Sequence, residues 1–230
     1  MEQMTLYLVL GGLLILTLML ASIAQRYHAY LEERRRRIER VLQKVSEIEG
    51  ILHRMQGLPV PVEAEEILRK EVLARLNVVK SVHSRHPGID KMIAEAEQAL
   101  SAVQPSTASL DLDEVQLASL IITLGEVIWM GQEQRFVSEL PEQDKIALMQ
   151  VCAMRRAECL NRFHRREGEQ KRKAGQLNQA LWHYNQICNF IRENGPDDDR
   201  VRSWYREAEE TYREISQEIS SHDADESSSE

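Results

Sequence analysis

The chain has 230 residues, a formal net charge of −8 and aromatic residues at only 5%. Gly and Pro are few while Leu, Ala, Glu, Arg and Gln dominate, a helical composition with no convincing run of alternating β-branched residues for a sheet. The acidic balance argues against general nucleic-acid binding, and three cysteines without framework spacing argue against a disulfide scaffold.

The first element is an uncharged apolar run, Leu6 to Ala24. As a helix it spans roughly the 30 Å hydrocarbon core of a bilayer, with its backbone polar groups closed internally. It reads as an uncleaved transmembrane anchor. A cleavable secretory signal would carry a basic segment before Leu6, where only Glu2 is charged, and Ser22-Ile23-Ala24 makes a poor cleavage site. A buried helix of a soluble protein is the other alternative. Gly11-Gly12 and Thr17 allow close helix contact without forming GxxxG. No Lys or Arg precedes the run, whereas Arg26 and then Arg34, Arg35, Arg36 and Arg37 follow it. Positive flanks stay cytoplasmic, so the expectation is a single-pass protein of an inner or plasma membrane, N-terminus outside and C-terminal bulk in the cytoplasm. Arg34, Arg35, Arg36 and Arg37 are the candidate membrane-surface residues, able to snorkel to anionic headgroups.

Residues 25–56 are expected to continue the anchor as one helix. Ile38, Val41, Val45, Ile48, Leu52 and Met55 step by three and four, an a/d seam lasting under three heptads. The seam either zips two copies into a homodimer through the 31–55 helix or packs on the chain's own bundle. Gly57-Leu58-Pro59-Val60-Pro61 ends it. A second helix is predicted over 62–84 with Leu68, Val72, Leu76 and Val79 on one face, and His86-Pro87-Gly88 is a turn. His83 and His86, three apart, read as a helix end rather than metal ligands. A third helix covers 89–103. Residues 104–110, QPSTASL, are the linker between a membrane-proximal helical region (26–104, after the anchor 1–25) and a C-terminal bundle (105–219).

The fourth helix, 113–137, starts at Asp113 and is apolar on most of its surface, which predicts the most buried helix of the protein. Pro141 opens a fifth. Cys152 and Cys159 lie on one face of it and read, with Cys188, as small buried apolar residues. The fifth helix runs into Arg162, His164, Arg165, Arg166, Lys171, Arg172 and Lys173. With Glu167 and Glu169 interspersed this is a solvated face; its functional reading makes Arg165, Arg166, Lys171, Arg172 and Lys173 the candidates for docking an acidic partner or a lipid headgroup. Asn194-Gly195 stops a sixth helix and Pro196 starts a seventh, whose Val201, Trp204, Tyr205, Ala208, Tyr212, Ile215 and Ile219 form a stripe that seals the bundle, with Trp204, Tyr205 and Tyr212 packed on the preceding hairpin. Residues 220–230 hold no large apolar residue and are expected to be a disordered acidic tail. Charge is uneven: residues 26–57 carry net +3 and residues 197–230 net −8.

Gly175, Ala180 and Tyr184 are separated by five and then four residues. This segment resembles the second half of a tetratricopeptide repeat, in which a small residue at a helix turn precedes an alanine by five and an aromatic by nine. The family's next small position is Ile187 here, and the repeat's first-half pattern is not evident before Gly175. The resemblance covers about residues 174–191 and implies one degenerate helical hairpin, since stable arrays want three or more units.

No P-loop, GxSxG, HExxH, paired CxxC or glycine-rich phosphate loop occurs, and no Glu lies three residues before any His, as a di-metal bundle would need. No cofactor and no metal site are expected. The chain therefore reads as an all-α, membrane-anchored cytoplasmic adaptor that brings protein partners together. Membrane-surface sensing, or a regulatory subunit of a membrane complex, is the alternative; an enzyme is the least favoured reading.

Overall fold

The computed structural model describes residues 2–133, 136–138 and 141–227, with side chains described from 18 to 221. Seven helices follow one another: α1 (Glu2–Met55), α2 (Val62–Val82), α3 (Ile89–Ser101), α4 (Glu114–Gln132), α5 (Glu142–Lys173), α6 (Leu177–Asn194) and α7 (Asp199–Ser227). Among the described residues there is no strand.

The predicted anchor and the juxtamembrane helix are one element. No proline falls within α1, and the first break is Gly57, whose φ of 77° turns the chain out of the helix. Residues 6–17 of the apolar run lie outside the described side chains. Its later residues Leu18, Met19, Leu20 and Ile23 are exposed, as are Tyr27 and Tyr30 beyond it. The heptad seam points inward: Ile38, Val45, Ile48 and Met55 are buried, with Val41 and Leu52 packed beside them. α2 returns antiparallel along this seam through Leu68, Val72, Leu76 and Val79, and α3 covers α2 with Ile89 and Ile93. The face of 31–55 that could zip a second copy is thus occupied by the chain's own α2 and α4.

The loop 102–113 sits where the linker was expected, yet the core runs across it. Ser106 Oγ donates to the Leu58 carbonyl at 2.9 Å. Arg54 of α1 pairs with Glu126 of α4. A capping box starts α4, with Gln116 N donating to Asp113 Oδ1 at 2.7 Å and Asp113 N to Gln116 Oε1 at 3.1 Å.

α4 is long and apolar enough, by length and composition, to cross a membrane. It packs as a core helix, with Leu120, Leu124 and Val127 fully buried against neighbouring helices. The burial expected of a helix apolar on most of its surface holds for that face alone, because Val115, Ile122 and Trp129, seven residues apart, point outward at 79%, 60% and 45% exposure. α4 also ends at Gln132 rather than near Val137. The cause is Glu71 of α2, fully buried, whose carboxylate accepts from Val137 N (2.7 Å), Ser138 N (2.8 Å) and Ser138 Oγ (2.7 Å). Arg75, one turn on, places Nε 2.7 Å from Glu71 Oε1. Backbone that would extend α4 is instead drawn onto α2.

α5, α6 and α7 pack consecutively, with α7 also touching α5. Gly175, at φ 72°, makes the α5–α6 turn; Ala180 and Tyr184 are buried in the hairpin behind it. Gly168 of α5 is the close-approach point: a Cβ there would lie 2.9 Å from Tyr184 Cε2. Gly168→Ala should therefore displace the Tyr184 ring and destabilise the protein by about 1–3 kcal/mol, as overpacking does; thermal unfolding followed by circular dichroism checks it. On α7, Val201, Ala208 and Ile215 are buried, with Tyr205, Tyr212 and Ile219 packed against the core. Trp204 is half-buried and does not join the core, a correction to its expected packing role. α7 also continues past Ile219 to Ser227, so the expected tail is helical to that point. Ser220 and Ser221 donate their hydroxyls to the Ser216 and Glu218 carbonyls one turn back. Residues 228–230 of the tail lie outside the described residues.

Candidate functional site

Three charged or aromatic constellations stand out. The first is the arginine cluster on α1. Arg35, Arg36 and Arg37 pair within the helix, with Glu39 at 2.9 Å, Glu32 at 3.8 Å and Glu33 at 2.5 Å. All six side chains are more than half exposed, so these pairs add little to stability and exchange readily for other anions. Arg34 differs. Its guanidinium donates to the Val82 carbonyl, the last residue of α2, where unpaired carbonyls and the helix dipole favour a cation.

The second is the basic patch at the end of α5. Arg165 binds Glu207 at 2.8 Å, and Arg172 reaches Glu214 at 3.3 Å and also Glu218. Two arginines seven residues apart thus meet two glutamates seven apart, which aligns α7 parallel to α5. Arg165 and the Ser203 hydroxyl hold the Glu207 carboxyl below its usual range. Arg166 donates to the Leu112 carbonyl at 2.9 Å and stacks on Phe163, 5.4 Å from the ring centre. Lys171 is half-buried and Lys173 exposed. Two of the five residues predicted to dock an acidic partner, Arg165 and Arg172, are engaged by the chain's own acidic α7.

The third is the α5–α6 contact. His164 Nδ1 lies 3.0 Å from His183 Nδ1, and both rings meet Trp182, at 5.7 and 4.8 Å between ring centres. Nδ1 facing Nδ1 requires one ring to donate and the other to accept, so at least the accepting ring is neutral and the two cannot both be charged while the bond stands. Burial first, and His183 second, push the His164 pKa down to about 4; burial chiefly lowers that of His183. The unfolded state then binds more protons than the folded one between the ordinary histidine value and about 4. The pair's contribution to stability is present above about pH 6.5 and is lost as the pH falls towards 4, by roughly 2 kcal/mol. His164→Leu should flatten that part of the stability profile; denaturant titrations at pH 7.5 and 4.5 check it.

The sequence shows neither the histidine pair nor the two-rung arginine clamp directly. The clamp does leave a signal, since 165 to 207 and 172 to 214 are both offsets of 42.

The three cysteines are free and buried, and burial raises their thiol pKa values, to about 12 for Cys152 and about 11 for Cys159. Thiols held protonated in this way are poor nucleophiles and poor metal ligands. The His83 and His86 rings sit edge to face, 5.9 Å apart, at the α2–α3 turn. Among the described residues no three His, Cys, Asp or Glu side chains gather as a metal site. No known protein family, curated protein or solved structure matches the chain. Its helical hairpin at Gly175 therefore stands on its own geometry. The groove between α1 and α4, lined by Ile48, Ile51, Arg54, Glu126 and Trp129, measures about 440 Å³ and is open on one side, with an ion pair and an indole at its surface.

Proposed function

We propose that the protein is a non-catalytic, membrane-anchored adaptor. α1 holds it to a cytoplasmic membrane face, and its helical bundle presents surfaces to protein partners. The observation that carries this reading is the division of α1. Its second half is a core seam, while Leu18, Met19, Leu20 and Ile23 stay exposed on several sides of a helix continuous with the uncharged run. Lipid is the solvent that suits such a segment, and Tyr27 and Tyr30 fall where an aromatic interface belt is expected. A reporter fused after Glu230 tests the topology: activity of a cytoplasmic reporter supports it, and activity of an export-dependent reporter reverses it.

Lys171 and Lys173 are the docking residues proposed for an acidic protein partner, since Arg165 and Arg172 already hold α7. Affinity capture of the full chain from its native membrane, compared with the Lys171→Glu/Lys173→Glu variant, tests this. A partner retained by the natural chain and lost by a variant of unchanged melting temperature supports the assignment; an identical set of partners rejects it. A second reading, sensing of an anionic membrane surface, is favoured by the exposed, exchangeable ion pairs of Arg35, Arg36 and Arg37.

A further inference from the structure

We propose that the α2–α3 turn, residues 83–88 with Arg85 at its tip, is a second membrane contact, which joins Arg34–Arg37 in binding the anionic headgroups of the bilayer that holds α1. This rests on the anchored reading of α1.

α1 leaves the apolar run and moves away from it; α2 runs back along α1, so its C-terminal end is the part of the bundle nearest that run. The Arg34–Val82 hydrogen bond fixes this level, and Ile38 and Val41 of α1 meet Val78 and Val82 of α2 in the groove just beyond. Arg34 is ten positions past Ala24, about 15 Å along the helix axis. A headgroup layer adds about 5–8 Å to the hydrocarbon core on each side, and screening in salt extends attraction a further 8 Å or so. The turn therefore lies within electrostatic reach of the surface, with no bend in α1 required.

Its chemistry suits that surface. Residues 26–40 and 78–91 together hold nine Lys and Arg against four Asp and Glu. Arg85 is exposed and makes no ion pair among the described residues, and Ser84 and Pro87 beside it are exposed. Lys80 is paired across the turn with Asp90 at 2.9 Å, a link that fixes the start of α3 to the end of α2. Val82 adds an exposed apolar side chain at the same end. The sequence separates the turn from the arginine cluster by about fifty residues; the fold brings them to one end. Two contacts, on α1 and on the turn, define an orientation of the bundle on the membrane that a single span cannot.

The test uses the full chain reconstituted into phosphatidylcholine vesicles and into vesicles with added phosphatidylglycerol, both doped with a headgroup-attached spin-labelled lipid. A fluorophore on Ser84→Cys reports proximity to the headgroups; the native thiols are buried, and the unsubstituted chain gives the background. The expected result is quenching in the anionic vesicles that is absent in the neutral ones, lost at high salt and lost in Ser84→Cys/Arg85→Glu, whose circular dichroism and melting temperature match those of Ser84→Cys. Protein that floats with vesicles and resists alkaline extraction but shows no quenching overturns the second contact and leaves the anchor standing. Equal quenching in both vesicle types overturns headgroup recognition. Quenching that survives Arg85→Glu removes Arg85 from the contact. Protein that fails to float overturns both readings together.

Discussion

Glu71→Ala should destabilise the protein by about 3–5 kcal/mol, the range for removing one partner of a buried ion pair. Glu71 is fully buried and its carboxylate serves four groups: Val137 N, Ser138 N, Ser138 Oγ and the Arg75 guanidinium. Alanine removes the acceptor of three short hydrogen bonds and leaves a mostly buried arginine without its carboxylate. Unpaired buried donors cost about 1–3 kcal/mol each in lost hydration, offset where water enters or the loop moves away. For a chain of this size the loss corresponds to a fall in melting temperature of roughly 10 °C. Glu71→Gln keeps one acceptor oxygen and should fall between the two. Thermal unfolding of the full chain in detergent, followed by circular dichroism, measures the series. Natural stability in Glu71→Ala would show that the α4–α5 connection is held by something other than this carboxylate.

Ile215→Ala should cost about 2–5 kcal/mol, the usual range for truncating a fully buried aliphatic side chain. Ile215 is 0% exposed, on the face of α7 that meets the α5–α6 hairpin. Trp204→Ala makes the contrast. Trp204 is larger, but it is half-buried and outside the core, so its removal should cost less than that of Ile215. The two variants measured side by side decide the matter: a larger loss at Trp204 would mean that the indole, not the aliphatic row, seats α7. Such losses are large against the about 5–15 kcal/mol that holds a domain together.

Where a single helix face settles the outcome, the residues announce it. The three-and-four spacing of Ile38 to Met55, the Gly57 and Pro59 break, the start of a helix at Asp113 and the Gly175 turn all describe local geometry, and each appears in the structure within a residue of the expected place. The misreadings have a common origin in distance along the chain. The end of α4 is set by a carboxylate more than sixty residues away, which no window over residues 130–140 contains. The destination of Arg165 and Arg172 is set by α7, so a patch that looks unsatisfied in its own helix is largely satisfied by the fold. Trp204 and Ile215 share one stripe by spacing, but helix position alone does not say which member sits over the centre of the neighbouring hairpin. The outward face of α4 was hidden for a different reason: periodicity weighs apolar residues equally, and Val115, Ile122 and Trp129 are as apolar as the residues facing inward. Of the candidate sites, Arg34–Arg37 and the basic patch could be located from sequence. Their partners, Val82 for one and Glu207 and Glu214 for the other, could not.

The 54 residues of α1 make a rod about 80 Å long. No proline provides a joint along it, and the far half is built into the core through Ile38, Val45, Ile48 and Met55. A load-transmitting shaft has this construction: a torque or tilt applied to the exposed end cannot dissipate in a flexible neck and must turn the whole bundle with it. The orientation of the bundle is then an output of the position of its stem, and a proline in place of the exposed Tyr27 would act as a joint, uncoupling the two without touching a core side chain.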